Sequence, residues 1–494
     1  MAKAAKRRIG DEIGGWRLQE KIGGGGNGIV WRVSKAGEPE RALKELRNLS
    51  AIARDRLAAE IEALGLAAGI EGIIPLLEHD LPFDPAKAPR WFVMPIARDI
   101  STLLGKRDAL AVVKHFVPLA KTLAELHALG IHHRDIKPAN LLVLNGRLCF
   151  SDFGLVKYPS RKDITPDRSD VGPRYTMAPE MRREAAKADG SAADVYSFAK
   201  TLWIALVGEL RGFDGQYSPV GVLSLGDRHP RIFSTPLDEL LSECTDNDPT
   251  KRPSMVVVQR RLADWIVTEE DFHKRNLSEW FAIQKQLFPH GAPSQATWTG
   301  IDEICSVLRL ASSTEGLNHM FFAEGGGNTL RAVTLAAEPG FIRLDAGLLS
   351  VAKPRKLTYE AFGMGARMNY FRLELEDVDP TGIPGAYISR NGHYEAVCEI
   401  RPGEYVTPEA WENDEYKGSP LPAGAASVSR LLKGSLVIFS TRSPYNLTTG
   451  TYDGRHDKVS EADFRAYIAR NVARMEADRK AAADAGAGAD MDEE

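Results

Sequence analysis

The stretch His133-Arg-Asp-Ile-Lys-Pro-Ala-Asn140, with Asp152-Phe-Gly154 beginning twelve residues beyond it, decides how this chain is read. It places two acids, a lysine and an amide inside one short span. Toward the N-terminus, residues 16–33 read as two strands around a glycine cluster: Trp16-Arg-Leu-Gln-Glu-Lys-Ile22, then Gly23-Gly-Gly-Gly-Asn-Gly28, then Ile29-Val-Trp-Arg-Val33. Glycine costs backbone entropy, so an ordinary hairpin has no need of so many. The spacing Gly23-x-Gly25-x-x-Gly28 also opens dinucleotide sites, but there the run leads into a helix. Here a strand follows, which puts the glycines at the tip of a hairpin able to fold over phosphates. A third strand ends at Leu43-Lys44, and Glu60 lies sixteen residues further on, inside the helical pattern of Ala51–Leu66.

These residue types are the parts that phosphoryl transfer needs. One acid accepts the proton of an attacking hydroxyl, an amide and a second acid hold magnesium, and a lysine neutralises the migrating charge. A lysine that grips phosphates needs an acid to fix its rotamer; Glu60 is so placed, and Glu62 is its rival. The bland alternatives are a strand-end surface lysine and an ordinary helix-face acid.

On these motifs, residues about 13–267 resemble a bacterial eukaryotic-like (Hanks-type) serine/threonine protein kinase. The resemblance implies a small β-rich lobe and a mainly helical lobe, with ATP and Mg²⁺ as cofactors. It implies that Gly23, Gly25 and Gly28 cover the ATP phosphates, that Ile22, Val30 and Ala42 lie over the adenine and Leu142 below it, and that Lys44 holds phosphates and pairs with Glu60. Met94 would precede the hinge, so that Pro95-Ile96-Ala97 meets the adenine edge. Asp135 matches the catalytic base, Lys137 the phosphate-stabilising lysine, and Asn140 and Asp152 the magnesium ligands. Phe153 and His133 would stack with Leu64, Glu180 of Met177-Ala-Pro-Glu180 would pair with Arg252, and Asp194 would brace the loop around Asp135.

Gly172-Pro-Arg-Tyr-Thr-Met-Ala-Pro-Glu180 departs from the family pattern, with Pro173 where a threonine would bridge the catalytic acid and lysine, and Thr176 in the slot of a tyrosine. This bears on acceptor geometry and not on ATP binding. Arg134 is the basic group that in this class pairs with a phosphorylated loop, so Ser160, Thr165 and Ser169 are candidate autophosphorylation sites. The Pro-rich connection with Pro82, Pro85 and Pro89 reads as a surface insertion.

At 494 residues, and roughly 150 per domain, the chain exceeds a single small module. With 63 Lys plus Arg against 67 Asp plus Glu, a net charge of -4 excludes a general attraction for nucleic acid and fits protein substrates. Cys149, Cys244, Cys305 and Cys398 lie far apart, without zinc or disulfide spacing. The apolar runs are of strand length, which excludes a membrane span and gives a cytoplasmic location as the expectation. After Pro289 short apolar runs separated by Gly, Pro and Asn mark a β-rich region in which Asn391-Gly392 signals a hairpin and Tyr405, Trp411 and Tyr416 could form a partner patch. From Ser460 a helix capped by Ser460 and Asp463 is expected to about Ala483, then an acidic disordered tail over 484–494.

The fold class is therefore α+β: a basic flexible N-terminus over 1–12, a bilobal kinase-like domain over 13–267, a helical connector over 268–300, a β-rich accessory domain over 301–459, and the terminal helix and tail over 460–494. The functional expectation is transfer of the ATP γ-phosphoryl group to protein Ser or Thr hydroxyls, with the C-terminal domain sensing a ligand or recruiting a substrate. The rival is a pseudokinase-like scaffold whose C-terminal domain is the effector. It is disfavoured because every chemistry-bearing position holds the expected residue type.

Overall fold

The computed structural model describes residues 7–24, 28–47, 50–80, 90–103, 108–158, 175–183, 187–209, 211–219, 221–229, 231–314, 317–321, 327–346, 349–362, 369–378, 398–401, 404–406, 426–427, 430–440 and 460–489. The chain divides into two compact units, Met1–Glu269 and Glu270–Glu494.

The first unit begins with strands β1 (Glu12–Ile13), β2 (Trp16–Gly24), β3 (Gly28–Ser34), β4 (Arg41–Leu46), β5 (Glu78–His79) and β6 (Trp91–Met94), which form one antiparallel sheet in the order β1-β2-β3-β4-β6-β5. Alternation along the strands sorts its faces. Trp31, Val33, Leu43 and Val93 pack on one side with Trp16 and Leu18. Val30 pairs with Lys44, Lys44 with Phe92, and Ala42 with Met94, so these five positions share the other face. Against the unit's larger core packs α1 (Ala51–Leu66), started by Ser50, whose hydroxyl accepts from the Ala53 amide at 3.3 Å. Its buried side carries Leu57, Glu60, Ile61 and Leu64.

Strands β7 (Arg98–Asp99), β8 (Leu141–Leu144) and β9 (Arg147–Phe150) make a small sheet. Asn145 and Gly146 join β8 to β9 with φ of 50° and 78°, the left-handed pair that a tight hairpin turn requires. The helices α2 (Ala109–Ala128), α3 (Pro179–Arg183), α4 (Gly190–Val207), α5 (Leu225–Arg228), α6 (Thr235–Cys244) and α7 (Met255–Glu270) complete the unit. α4 is buried along nearly its whole length, its polar residues Asp194, Ser197, Lys200 and Thr201 included.

In the second unit α8 (Phe272–Leu287) and α9 (Ile301–Ser312) flank strand β10 (Gln295–Trp298). Strands β11 (His319–Phe321), β12 (Gly327–Thr329), β13 (Ala332–Leu335), β14 (Ile342–Asp345), β15 (Leu349–Ala352), β16 (Pro354–Glu360) and β17 (Tyr370–Leu375) follow, then the short β18 (Cys398–Arg401), β19 (Glu404–Val406), β20 (Ala426–Ser427), β21 (Arg430–Leu431), and β22 (Ser435–Phe439). The main sheet runs β10-β16-β17-β22-β11-β12. Leu357, Tyr359, Phe371, Leu436 and Ile438 pack with Trp280, Ile283, Ile304 and Leu308 from α8 and α9. Tyr370, Val437 and Phe439, one residue out of phase, pack with Phe464, Ile468 and Val472 of the last helix, α10 (Glu461–Ala489). Both faces are thus covered, and β17 and β22 are buried at every position.

Two expectations change here. The stretch 268–300, read as a connector, supplies Trp280 and Ile283 to the core of the second unit. The last helix, capped as expected by Ser460 and Asp463, continues past Ala483 to Ala489, the alanines of 481–489 carrying it through Gly486 and Gly488. The hairpin at Asn391-Gly392, together with Trp411 and Tyr416, lies outside the described residues, and of Tyr405 only the strand backbone is described. Cys149, Cys244 and Cys305 are buried free thiols; burial pushes Cys244 up to about 12 and Cys149 above the ordinary thiol value. No helix among the described residues is long and apolar enough to cross a membrane.

Candidate active site

A cleft of about 650 Å³ opens beneath the first sheet. Ile22, Gly23, Gly28, Val30, Ala42, Lys44 and Met94 line it from the sheet, and Lys137, Asn140, Leu142 and Asp152 from the other side. Gly25 lies outside the described residues. Pro95 and Ala97 line the cleft while Ile96 does not. Gly28 is required by close approach: a Cβ there would sit 3.0 Å from the Glu45 carbonyl oxygen.

Lys44 is the electrostatic centre of the sheet side. Its Nζ lies 2.7 and 2.8 Å from the two Glu60 carboxylate oxygens and 3.0 Å from Asp152 Oδ1. Burial works against the ammonium, but the Glu60 and Asp152 carboxylates outweigh it and hold its pKa above the ordinary lysine value. Lys44 in turn holds the Asp152 carboxyl below the usual carboxylate range, although half of that side chain faces solvent. The rivalry between the two helix acids is decided by the rotation of α1: Glu60 points inward with Leu57 and Leu64, whereas Glu62 accepts the Tyr158 hydroxyl at 2.6 Å.

On the opposite side, Lys137 Nζ donates to both oxygens of Asp135 at 3.1 and 2.8 Å, and Asn140 Nδ2 donates to Asp135 Oδ2 at 2.9 Å and to its carbonyl at 2.8 Å. The loop is anchored from below by Asp194 of α4, fully buried, which accepts the amides of His133 and Arg134 at 2.7 Å each and stands 3.2 Å from His127 Nε2. Burial pushes the Asp194 carboxyl up, but these donors prevail and keep it below its ordinary pKa. Arg134 and Asp152 adopt left-handed φ of 64° and 61°, strain that costs about 1–3 kcal/mol per residue and persists where the surroundings over-determine it. Here Asp194 holds the first and Lys44 the second.

His133 meets Phe153 in a tilted contact at 4.7 Å between centroids, where the sequence led to a stacked one, and Phe153 shares its core with Leu64. Arg252 pairs with Glu180 at 2.6 and 3.0 Å. Arg134 is buried, with Nη2 3.8 Å from Met181 Sδ; Ser160, Thr165, Ser169 and Pro173 lie outside the described residues. Sequence reasoning missed Phe92, whose ring centroid lies 5.6 Å from Lys44 Nζ, and Ile74 on the cleft wall. The signal for Phe92 was available: it stands two residues before Met94 on β6 and so shares its face.

Residues 16–263 match the family described as protein kinase domain, which is half of the chain. The chain belongs to the protein kinase domain family. It is 28% identical over 278 residues to the serine/threonine-protein kinase AfsK of Streptomyces coelicolor, covering 54% of this chain and 34% of that protein. It is 26% identical over 270 residues to the probable serine/threonine-protein kinase PkwA of Thermomonospora curvata, covering 51% of this chain and 34% of the other. Over a shorter span of 149 residues it is 37% identical to the dual specificity protein kinase shkB of Dictyostelium discoideum, covering 28% and 22%. The chain thus spans about a third of the length of the bacterial relatives it matches. Kinases of this family generally use ATP and Mg²⁺.

The donor set fits such a metal. Asn140 and Asp152 both line the cleft, both offer hard oxygen ligands, and Asp152 is kept ionised by Lys44. Mg²⁺ commonly takes one or two protein ligands together with substrate phosphates and water, which two residues such as these would suit.

Proposed function

We propose that this protein is a serine/threonine protein kinase that transfers the γ-phosphoryl group of ATP to protein hydroxyls. What carries the reading is that Lys44, Glu60 and Asp152 meet in the same cleft as Lys137 and Asn140, whose side chains hold the Asp135 carboxylate. Lys44, fixed by Glu60, grips the α- and β-phosphates, and Ile22, Val30, Ala42, Met94 and Leu142 enclose the base, with the main chain of Pro95-Ile96-Ala97 along its edge. Gly23, Gly25 and Gly28 close over the phosphates. Asp135 orients the acceptor hydroxyl and takes its proton, and Lys137 neutralises charge on the phosphoryl group in flight. Asn140 and Asp152 would hold Mg²⁺, which would supply charge neutralisation to the phosphates. The segment 175–181, tied to Arg252 through Glu180, carries the protein acceptor beside Asp135.

Ser160, Thr165 or Ser169 serves as an autophosphorylation site read by Arg134, and the unit from Glu270 onward senses a ligand or recruits a substrate. The scaffold alternative is not favoured: a protein that only bound nucleotide has no use for an acid held by both Lys137 and Asn140.

Asp135→Asn is the direct test. Transfer of label from ATP to dephosphorylated casein should fall by about 10²–10⁴-fold, while nucleotide affinity measured by calorimetry stays near wild type. Undiminished transfer by the variant would refute the assignment.

A further inference from the structure

Lys200 is a buried lysine of the first unit, and the chemistry above does not use it. It lies on α4, 1% exposed, two turns beyond Asp194. Its partners are not carboxylates. Nζ donates to the carbonyl oxygens of Phe213 and Gly215 at 2.6 Å each and stands 3.5 Å from the Phe213 ring centroid and 5.1 Å from that of Tyr196. The Tyr196 hydroxyl donates to the same Gly215 carbonyl at 2.9 Å.

The main chain so fastened lies directly against the acceptor segment. A Cβ on Gly212 would fall 2.9 Å from the Tyr175 carbonyl oxygen, and the Arg211 guanidinium stands 6.0 Å from the Tyr175 ring centroid. From the other end Arg252 stacks on Tyr196 at 4.8 Å while pairing with Glu180. Met177, Ala178 and Met181 pack on Tyr196 and Ala193 of α4. Residues 175–181 are thus held by α4 both directly and through the 211–217 main chain, to which Lys200 joins α4 at two carbonyls and Tyr196 at one.

We propose that Lys200 is a positioning residue: by clamping the Phe213 and Gly215 carbonyls it sets the placement of residues 175–181, and with it the affinity for the protein acceptor. The inference rests on the reading of that segment as the acceptor's seat. The clamp is also sensitive to pH. Burial drives the Lys200 pKa down to about 7; Asp214, in the clamped loop, works to keep the charge and Arg182, just after Met181 on α3, works against it. The neighbouring titratable groups are occupied elsewhere: Tyr196 is pushed up to about 12 and stays neutral, Arg252 is paired with Glu180, and Asp238 of α6 accepts the Tyr217 hydroxyl at 2.6 Å. The ammonium makes charge-assisted bonds to both carbonyls and attracts both rings, whereas the amine makes weaker ones. Acceptor affinity is therefore greatest below pH 7 and declines above it.

The test is steady-state transfer to dephosphorylated casein by the full chain from pH 6 to 8.5. Wild type should show a KM for casein that rises about fivefold across this range with KM for ATP unchanged. Lys200→Met should raise the casein KM about tenfold at pH 6 and abolish its pH dependence, and Lys200→Arg should keep a low KM that no longer rises by pH 8.5. Gly212→Ala reaches the same contact from the other side and should raise the casein KM with Lys200 intact. Thermal unfolding of each variant establishes that it is folded. An unchanged casein KM in folded Lys200→Met, a Gly212→Ala variant with wild-type kinetics, or a wild-type KM that is flat across the range would each overturn the proposal. Absence of any transfer by wild type would instead count against the kinase reading.

Discussion

Lys44 is partly buried and Lys200 fully so, yet their ammonium groups are driven in opposite directions, and the reason is the identity of their partners. Carboxylates surround Lys44, so its charge is stabilised; carbonyl dipoles surround Lys200, and these do not make up for lost hydration. Removing Lys44 therefore strands a charge. In Lys44→Met, Glu60 remains 3% exposed without its cation, and the variant should lose about 3 kcal/mol of stability at neutral pH along with transfer activity. The loss depends on pH in a definite sense. Burial raises the Glu60 pKa, and without Lys44 nothing as strong opposes it, so between the unfolded and folded values the native state binds more protons than the unfolded one. Stability of the variant relative to wild type should then fall as pH rises from 5 to 8. Urea denaturation at the two ends of that interval measures it, and a deficit that is the same at both would contradict the argument.

The element that most constrains the site is α4, because Asp194 at its first turns carries two main-chain amides of the loop before Asp135 and because Lys200 extends the same role toward the acceptor segment. Asp194→Asn keeps the shape but replaces one carboxylate oxygen by a donor, so one of the His133 and Arg134 amides meets an N–H instead of an acceptor. A stability loss of about 2 kcal/mol is expected, with transfer reduced through kcat and not through KM for ATP; melting curves and kinetics with varied ATP check the two halves. Much of this site was legible in the sequence, since phosphoryl transfer needs particular residue types and those types stand at Lys44, Asp135, Lys137, Asn140 and Asp152. What was not legible depended on orientation. Glu60 and Glu62 share one helical pattern, and only the rotation of α1 against the cleft separates them. Phe92 belongs to the core, and its second role arises from the register of β4 with β6. Lys200 sits in an apolar run and carries no motif, so only the chain returning at Phe213 reveals its use.

At the scale of the molecule, two units each bury their own core, built in the first from α2, α4, α6 and α7 and in the second from α8, α9 and the main sheet. A chain ending at Glu269 should fold and retain nucleotide binding and Asp135-dependent transfer, and the full chain should unfold in two calorimetric transitions where the truncated one shows a single transition. A truncated chain without cooperative unfolding would show that the units do not fold independently. The strand order of the second unit could not be read from sequence. β22 inserts between β17 and β11 although about sixty residues separate β17 from β22 in the chain, and such pairing is decided by long-range packing instead of local pattern.

The three buried thiols divide among these regions: Cys149 on β9 beneath the cleft, Cys244 at the end of α6, and Cys305 on α9 in the second unit. Because thiolate is the reactive form and burial suppresses it at Cys149 and Cys244, an alkylating reagent reaches those sulfurs only when the local structure opens. The described thiols thus act as exchange clocks native to the chain, which time the opening of the cleft floor, the helical layer and the second unit without any engineered label.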